Sequence, residues 1–170
     1  MSDFFSTFLF FLPAFVGNSA PVLIRHFPGL QRWNAPLSEK FLGKNKTWRG
    51  LIFAIVTGSA TGFALFAFIP QFLPISLSVE MGGCLGALLG FGAIAGDAIE
   101  SFIKRKVGKN PGEPLPFWDG VDYILGALLV ASPFFIPNFW SIVALLFLAP
   151  TLSLLANITS YLCGWKEVWH

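Results

Sequence analysis

Charge is scarce in this sequence. Lys and Arg number 11 and Asp and Glu 9, together 12% of 170 residues, where an average soluble domain carries roughly a quarter. With 55% hydrophobic residues and a mean hydropathy of +0.69, too little polar surface is available to cover a water-soluble globule. Cysteine and histidine are also rare, at two each. Cys84 and Cys163 fall near opposite ends of predicted membrane spans, which excludes a disulfide framework or a zinc pair and leaves packing thiols as the expectation. His26 and His170 have no evident partners, no Walker A pattern is present, and no repeat or low-complexity tract is visible.

What remains is long apolar runs separated by clustered charge. A bilayer core roughly 30 Å thick asks for about 20 apolar residues per helix, and the runs predict an all-α, polytopic membrane helix bundle of about five transmembrane helices in a single domain, 1–170. The expected spans are 4–24, 51–73, 75–98, 121–136 and 139–162, with polar loops at 25–50 and 99–120. A signal peptide is the competing reading of the first run. Only Asp3 precedes that run, where a signal peptide needs positive charge, and Pro21 follows the weak small-residue stretch Asn18-Ser19-Ala20, so a span is expected. Pro133, Pro137 and Asn138 divide the uncharged stretch from Tyr123 to Trp165 in two. Gly82, Gly86 and Gly90 form a ladder that lets backbones approach closely, and Trp140, Trp165 and Trp169 fall where interfacial aromatics belong.

All 11 Lys and Arg lie in the two polar loops and the C-terminal tail. The positive-inside rule therefore predicts an N-terminus outside, both basic loops in the cytoplasm, and a cytoplasmic C-terminus. The expected location is the plasma (inner) membrane, with any active site facing the cytoplasm.

Ionisable residues near a membrane core are costly and point to function. Asp97 closes the third span, and Asp119 and Asp122 open the fourth. Residues three or four apart share a helix face, so Asp97, Ser101 and Lys104 form one stripe and Asp119 with Asp122 another. Together the stripes would offer three carboxylates to a hard divalent ion such as Mg2+, which takes oxygen ligands and bridges carboxylates to substrate phosphates. Lys44, Lys46, Thr47 and Arg49 in the first loop, and Lys104, Arg105, Lys106 and Lys109 in the second, surround that cluster with cations and a hydroxyl. Mixed acids and bases on one membrane face suit a metal-bound nucleoside triphosphate.

Plainer readings exist for each element. Lys44 to Arg49 could serve only to set topology. Asp119 could cap a helix whose dipole Asp122 complements. Glu100 and Lys104 make an i,i+4 pair of favourable polarity, which assigns Glu100 a structural role. The loop cations are expected to be solvated, so replacing Lys46 or Arg49 should leave the fold intact.

In combination these residues resemble the membrane cytidylyltransferases that include CDP-diglyceride synthase and, more closely, the archaeal CDP-archaeol synthase family. The resemblance is carried by Gly43 to Gly50 with its Lys-Thr-Trp-Arg-Gly core, by Gly96-Asp97 followed by Ser101 to Arg105, by Leu115-Pro116 with Asp119 and Asp122, and by Pro13 to Asn18. It departs where the diglyceride enzymes have His-Gly-Gly before the first acid, here Phe117-Trp118 and Gly120, and where their Lys-Asp pair reads Lys109-Asn110. The resemblance implies transfer of CMP from CTP to a lipid phosphomonoester, giving CDP-lipid and pyrophosphate. It further implies Mg2+ held by Asp97, Asp119 and Asp122, with phosphates bound by Lys44, Lys46, Arg49, Lys104, Arg105 and Lys109. Partners would be CTP, a lipid phosphate and membrane lipids, with no nucleic acid; homo-oligomerisation stays open. The alternative from another class is a non-catalytic transporter or scaffold whose basic loops bind anionic headgroups. A CDP-alcohol phosphatidyltransferase is disfavoured because its longer four-aspartate signature is missing.

Overall fold

The computed structural model describes residues 3–24, 29, 33–109, 118 and 120–162, the side chains of 156, 157 and 160 excepted. Helix α1 covers Phe4–Ile24, α2 Glu39–Leu42, α3 Trp48–Phe68, α4 Val79–Lys106, α5 Asp122–Ala131 and α6 Phe139–Leu162, with a 3-10 turn at Pro70–Phe72 after α3. Among the described residues there is no strand, only one antiparallel bridge between Pro36 and Thr47.

Local chemistry sets the helix ends. The Asp3 carboxylate accepts from the Ser6 backbone N–H at 2.7 Å at the start of α1, and the hydrogen bonds from Ser6 hold its carboxyl below the usual carboxylate range. Thr47 caps α3 by accepting from the Gly50 N–H at 3.1 Å, so that helix begins three residues before the expected Leu51. It also stops sooner than 73, because Pro70 disfavours helical backbone at Ile69. Ser78 caps α4, accepting from Met81 at 3.3 Å. That helix runs 28 residues, about 42 Å at ~1.5 Å per residue, well past the expected end at 98. Its final turn, Lys104 to Lys106, complements the negative end of the helix dipole. Helix α5 is only 10 residues long; a turn in which Phe134 N–H reaches the Ala131 carbonyl at 2.8 Å ends it before 136. Asn138 starts α6 by accepting from Ser141 at 2.9 Å.

Helices α1, α3 and α4 are long and apolar enough to cross a membrane, and α5 and Phe139–Leu155 are shorter apolar helices. Helix α4 is the hub, packed against α3, α5 and α1. The glycine ladder makes this possible: Gly58 and Gly62 of α3 face Gly82, Gly86 and Gly90 of α4 so closely that a Cβ at any of them would collide with the facing helix. On its other side α1 meets the same seam, where a Cβ on Gly17 would lie 2.9 Å from Gly90 Cα. Phe11, Leu89, Ile124 and Leu145 are wholly buried in the hydrophobic core. Cys84 is not a buried packing thiol as expected; it is exposed, on the face of α4 turned away from the glycine seam. Trp140 is 76% exposed, as an interfacial aromatic should be. Cys163, Trp165 and Trp169 lie outside the described residues.

Candidate active site

The start of α3, the end of α4 and the start of α5 meet at the same end of the bundle, beside Lys46 and Lys104. A second glycine contact fixes the relation of α4 to α5. A Cβ on Gly96 would overlap the Asp122 carbonyl, and one on Gly126 would overlap the Gly92 carbonyl. This backbone-to-backbone approach places one carboxylate oxygen each of Asp97, Glu100 and Asp122 within 4.8 Å of one another. Asp122 is buried and its Oδ1 accepts from the Gly120 N–H at 3.1 Å. Gly120 has φ +90, a left-handed conformation that glycine adopts without strain. A Cβ there would also stand 2.9 Å from Pro150 Cα of α6, so the turn before Asp122 is seated directly on the last helix.

Three carboxylates this close repel one another unless cations offset them. Two lysines do so. Lys46 pairs with Asp97 Oδ2, linking the first basic loop to α4, and Lys104 pairs with Glu100 at 3.1 Å along α4. The loop carrying Lys46 is tied down by Leu37 N–H to the Lys46 carbonyl at 2.7 Å and by Trp48 N–H to the Ala35 carbonyl at 3.0 Å. As hard oxygen donors converging on one point, the three acids fit a divalent ion such as Mg2+. A hollow of about 590 Å³ lined by Asp3, Ser6, Leu73, Pro74 and Phe135 opens at the opposite end of the bundle, away from this cluster.

The sequence profile of the CarS-like CDP-archaeol synthases matches residues 1–170, the whole chain. The chain belongs to that family. A CDP-archaeol synthase of Thermococcus kodakarensis is 34% identical over 171 residues, covering 99% of this chain and 97% of the relative. One from Methanococcus aeolicus is 34% identical over 176 residues, covering 96% and 95%. A solved structure described as an intramembrane enzyme for archaeal membrane lipids biosynthesis superposes with a TM-score of 0.71 at 28% identity, covering 92% of this chain and 95% of that one.

Of the residues singled out in this CDP-archaeol synthase family member, Asp97, Asp122, Lys46 and Lys104 lie together. Asp119 lies outside the described residues. The structure adds Glu100, which the helical pairing had set aside as structural. Its pairing with Lys104 holds, and the same carboxylate also joins the acid cluster. The signal was present in the spacing, since Glu100 is three residues from Asp97 and shares its face. Ser101 is buried beside it on α4. Lys44 instead pairs with Glu39 at 3.2 Å on the exposed surface. Thr47 spends its hydroxyl on capping α3. Arg105 donates to the Lys109 carbonyl, and Lys109 N–H returns to the Lys104 carbonyl at 3.0 Å, closing the end of α4. Arg49 is not the solvated loop charge that was expected: it is 3% exposed, and its Nη2 donates to Asn34 Oδ1 at 3.1 Å. Lying in the first turn of α3, it is buried by the loop that folds back over it.

Proposed function

We propose that this protein transfers CMP from CTP to a lipid phosphomonoester of the archaeol type, releasing pyrophosphate, at the cytoplasmic face of the plasma membrane. The observation that carries this reading is the cluster of Asp97, Glu100 and Asp122 with Lys46 and Lys104 paired to it, at one end of an apolar bundle in a member of the CDP-archaeol synthase family. In the reaction a bond forms between a lipid phosphate oxygen and the α-phosphorus of CTP, the α–β bridging P–O bond breaks, and its electron pair leaves on pyrophosphate. A phosphomonoester has a second pKa of about 6 and is largely dianionic at neutral pH. It is therefore a competent nucleophile without a general base, and the described site residues include no histidine.

Alignment and charge neutralisation are left for the chain to supply. Asp97, Glu100 and Asp122 would hold Mg2+, with Asp119 a further acid three residues before Asp122. When bound, the metal supplies charge neutralisation and a template for the triphosphate. Lys46 and Lys104 stand beside the acids and would take phosphate oxygens, with Lys44, Arg105 and Lys109 around them and Arg49 buried at the start of α3; preorganised cations of this kind stabilise the charge that grows on the leaving pyrophosphate. Gly96 and Gly120 hold the two acidic segments in register. The topology that goes with this reading is about five spans, N-terminus outside and both basic loops in the cytoplasm.

Purified protein in detergent, given radiolabelled CTP, Mg2+ and a panel of lipid phosphates, should yield CDP-lipid and pyrophosphate in equal amounts, with an archaeol-type phosphate preferred over diacylglycerol phosphate. Binding of lipid phosphates without release of pyrophosphate from CTP in the presence of any of them would overturn the proposal in favour of a headgroup-binding scaffold.

A further inference from the structure

We infer that Lys46 is a placeholder cation: it neutralises Asp97 while the acid cluster is empty and yields that position only to metal and triphosphate together, so neither loads tightly alone. The inference rests on the reading of the acid cluster as a metal site and adds an order of loading to it.

Among the described residues two lysines pair with the three acids, and they differ in origin. Lys104 comes from the same helix as Glu100 and moves with it. Lys46 reaches across 51 residues of sequence to Asp97, and takes Oδ2 of the carboxylate that any ion in the cluster would need. Its side chain is only 19% exposed and that of Asp97 26%, so the pair is poorly screened by water and a divalent ion approaching it meets an ammonium already in place. The backbone of Lys46 is fixed by the Leu37 hydrogen bond and by the capped start of α3 immediately after it. Exchange is therefore a swing of the four-carbon side chain about a fixed pivot, a motion a lysine makes readily. An ion arriving alone would displace that ammonium from its carboxylate and offer it no anion in return. A triphosphate arriving with the ion offers one within reach of the same pivot. Loading of ion and nucleotide is then coupled, and by linkage each tightens the other equally.

The test is Mn2+ binding, read from the electron paramagnetic resonance signal of free Mn2+, to parent, Lys46→Gln, Lys46→Met, Lys46→Arg and Asp97→Asn proteins in detergent, with and without the non-transferable analogue α,β-methylene CTP. In the parent the analogue should tighten Mn2+ about tenfold, a typical coupling. Lys46→Gln and Lys46→Met should bind Mn2+ alone about tenfold tighter than the parent and gain little more from the analogue, whereas Lys46→Arg should stay as weak as the parent. A lysine that merely supported the fold would weaken Mn2+ binding when removed, the opposite sign. Neutral variants that bind Mn2+ no tighter than the parent, while Asp97→Asn binds it more weakly, would overturn the placeholder and leave the acid site standing. Asp97→Asn binding Mn2+ like the parent under both conditions would overturn the acid site, and the placeholder with it. Lack of any tightening by the analogue in the parent would overturn the coupled loading whatever the variants do.

Discussion

Gly96 of α4 and Asp122 of α5 touch backbone to backbone, with no room for even a methyl group between them. One helix's acid in the three-carboxylate cluster is thus positioned by a hydrogen atom on its neighbour. Gly96→Ala should push α5 away, costing about 1–3 kcal/mol as overpacking does and separating Asp122 from Asp97 and Glu100, with cytidylyl transfer down more than about tenfold for a barrier change near 1.4 kcal/mol. Gly83→Ala is the internal control. A Cβ there would meet Ser59 and Phe63 at 3.6–3.8 Å, ordinary contact, and alanine is the better helix former. Its melting temperature and activity should match or exceed the parent's. Equal losses in both variants would mean that glycine serves α4 generally and not the acid cluster.

The same pair shows how far the sequence could be read. Asp97 and Asp122 were legible as candidates because carboxylates are rare in such an apolar chain, and the start and end of α1 follow directly from its uncharged run, Phe4 to Ile24. The end of α4 was not legible. Charges at Glu100, Lys104 and Lys106 end the apolar run, but the helix continues past it because its hydrogen bonds do not depend on apolar side chains. Glu100 was set aside because pairing with Lys104 accounted for it fully; only the approach of α5 through Gly92, Gly96 and Gly126, a tertiary contact, brings it to the other two acids. Arg49 looked like its neighbours Lys44 and Lys46 in sequence, and only the fold of the loop around Asn34 separates them.

Topology can be tested with engineered thiols. Cys84 is exposed, and it and Cys163 are first replaced by alanine. A cysteine at Ser76, in the exposed connection before α4, should react with a membrane-impermeant maleimide in intact cells, and one at Ser38 beside α2 should react only after lysis. The reverse pattern would put the acid cluster on the outer face and remove access to cytoplasmic CTP.

Arg49 and Lys44 should separate stability from catalysis. Removing Arg49 deprives Asn34 of its donor and opens the buried start of α3, so Arg49→Ala should cost about 2 kcal/mol, within the range for breaking a buried hydrogen bond to a charged group. Arg49→Lys should recover only part of that, because an ammonium lacks the planar fork. Lys44→Ala removes only an exposed pair with Glu39 and should leave the melting curve unchanged. An unchanged melt for Arg49→Ala, measured in detergent, would contradict the packed loop.

The acids themselves carry the decisive prediction. Asp122→Asn keeps an oxygen able to accept from the Gly120 N–H, so the turn seated on Pro150 should survive and the melting curve should stay within a degree or so of the parent, as for most substitutions that spare packing. What is lost is charge. If Asp122 is only a turn and packing residue, transfer should persist at close to the parental rate. If it is a metal ligand, turnover at saturating CTP should fall by at least about a hundredfold, equivalent to roughly 2.7 kcal/mol in the barrier, with partial recovery at raised Mg2+. Asp97→Asn should behave alike. Glu100→Gln separates the two roles that meet on one carboxylate, because loss of the largely buried Lys104 pair is read in the melting curve, at about 3–5 kcal/mol, and loss of a metal ligand in the Mg2+ requirement. A ligand role predicts that Glu100→Gln raises the Mg2+ concentration needed for half-maximal activity by about tenfold or more, while Lys104→Gln leaves that concentration unchanged or lower. Half-saturation by Mg2+ that does not move in Glu100→Gln would return Glu100 to helix pairing and leave Asp97 and Asp122 as the metal-holding pair.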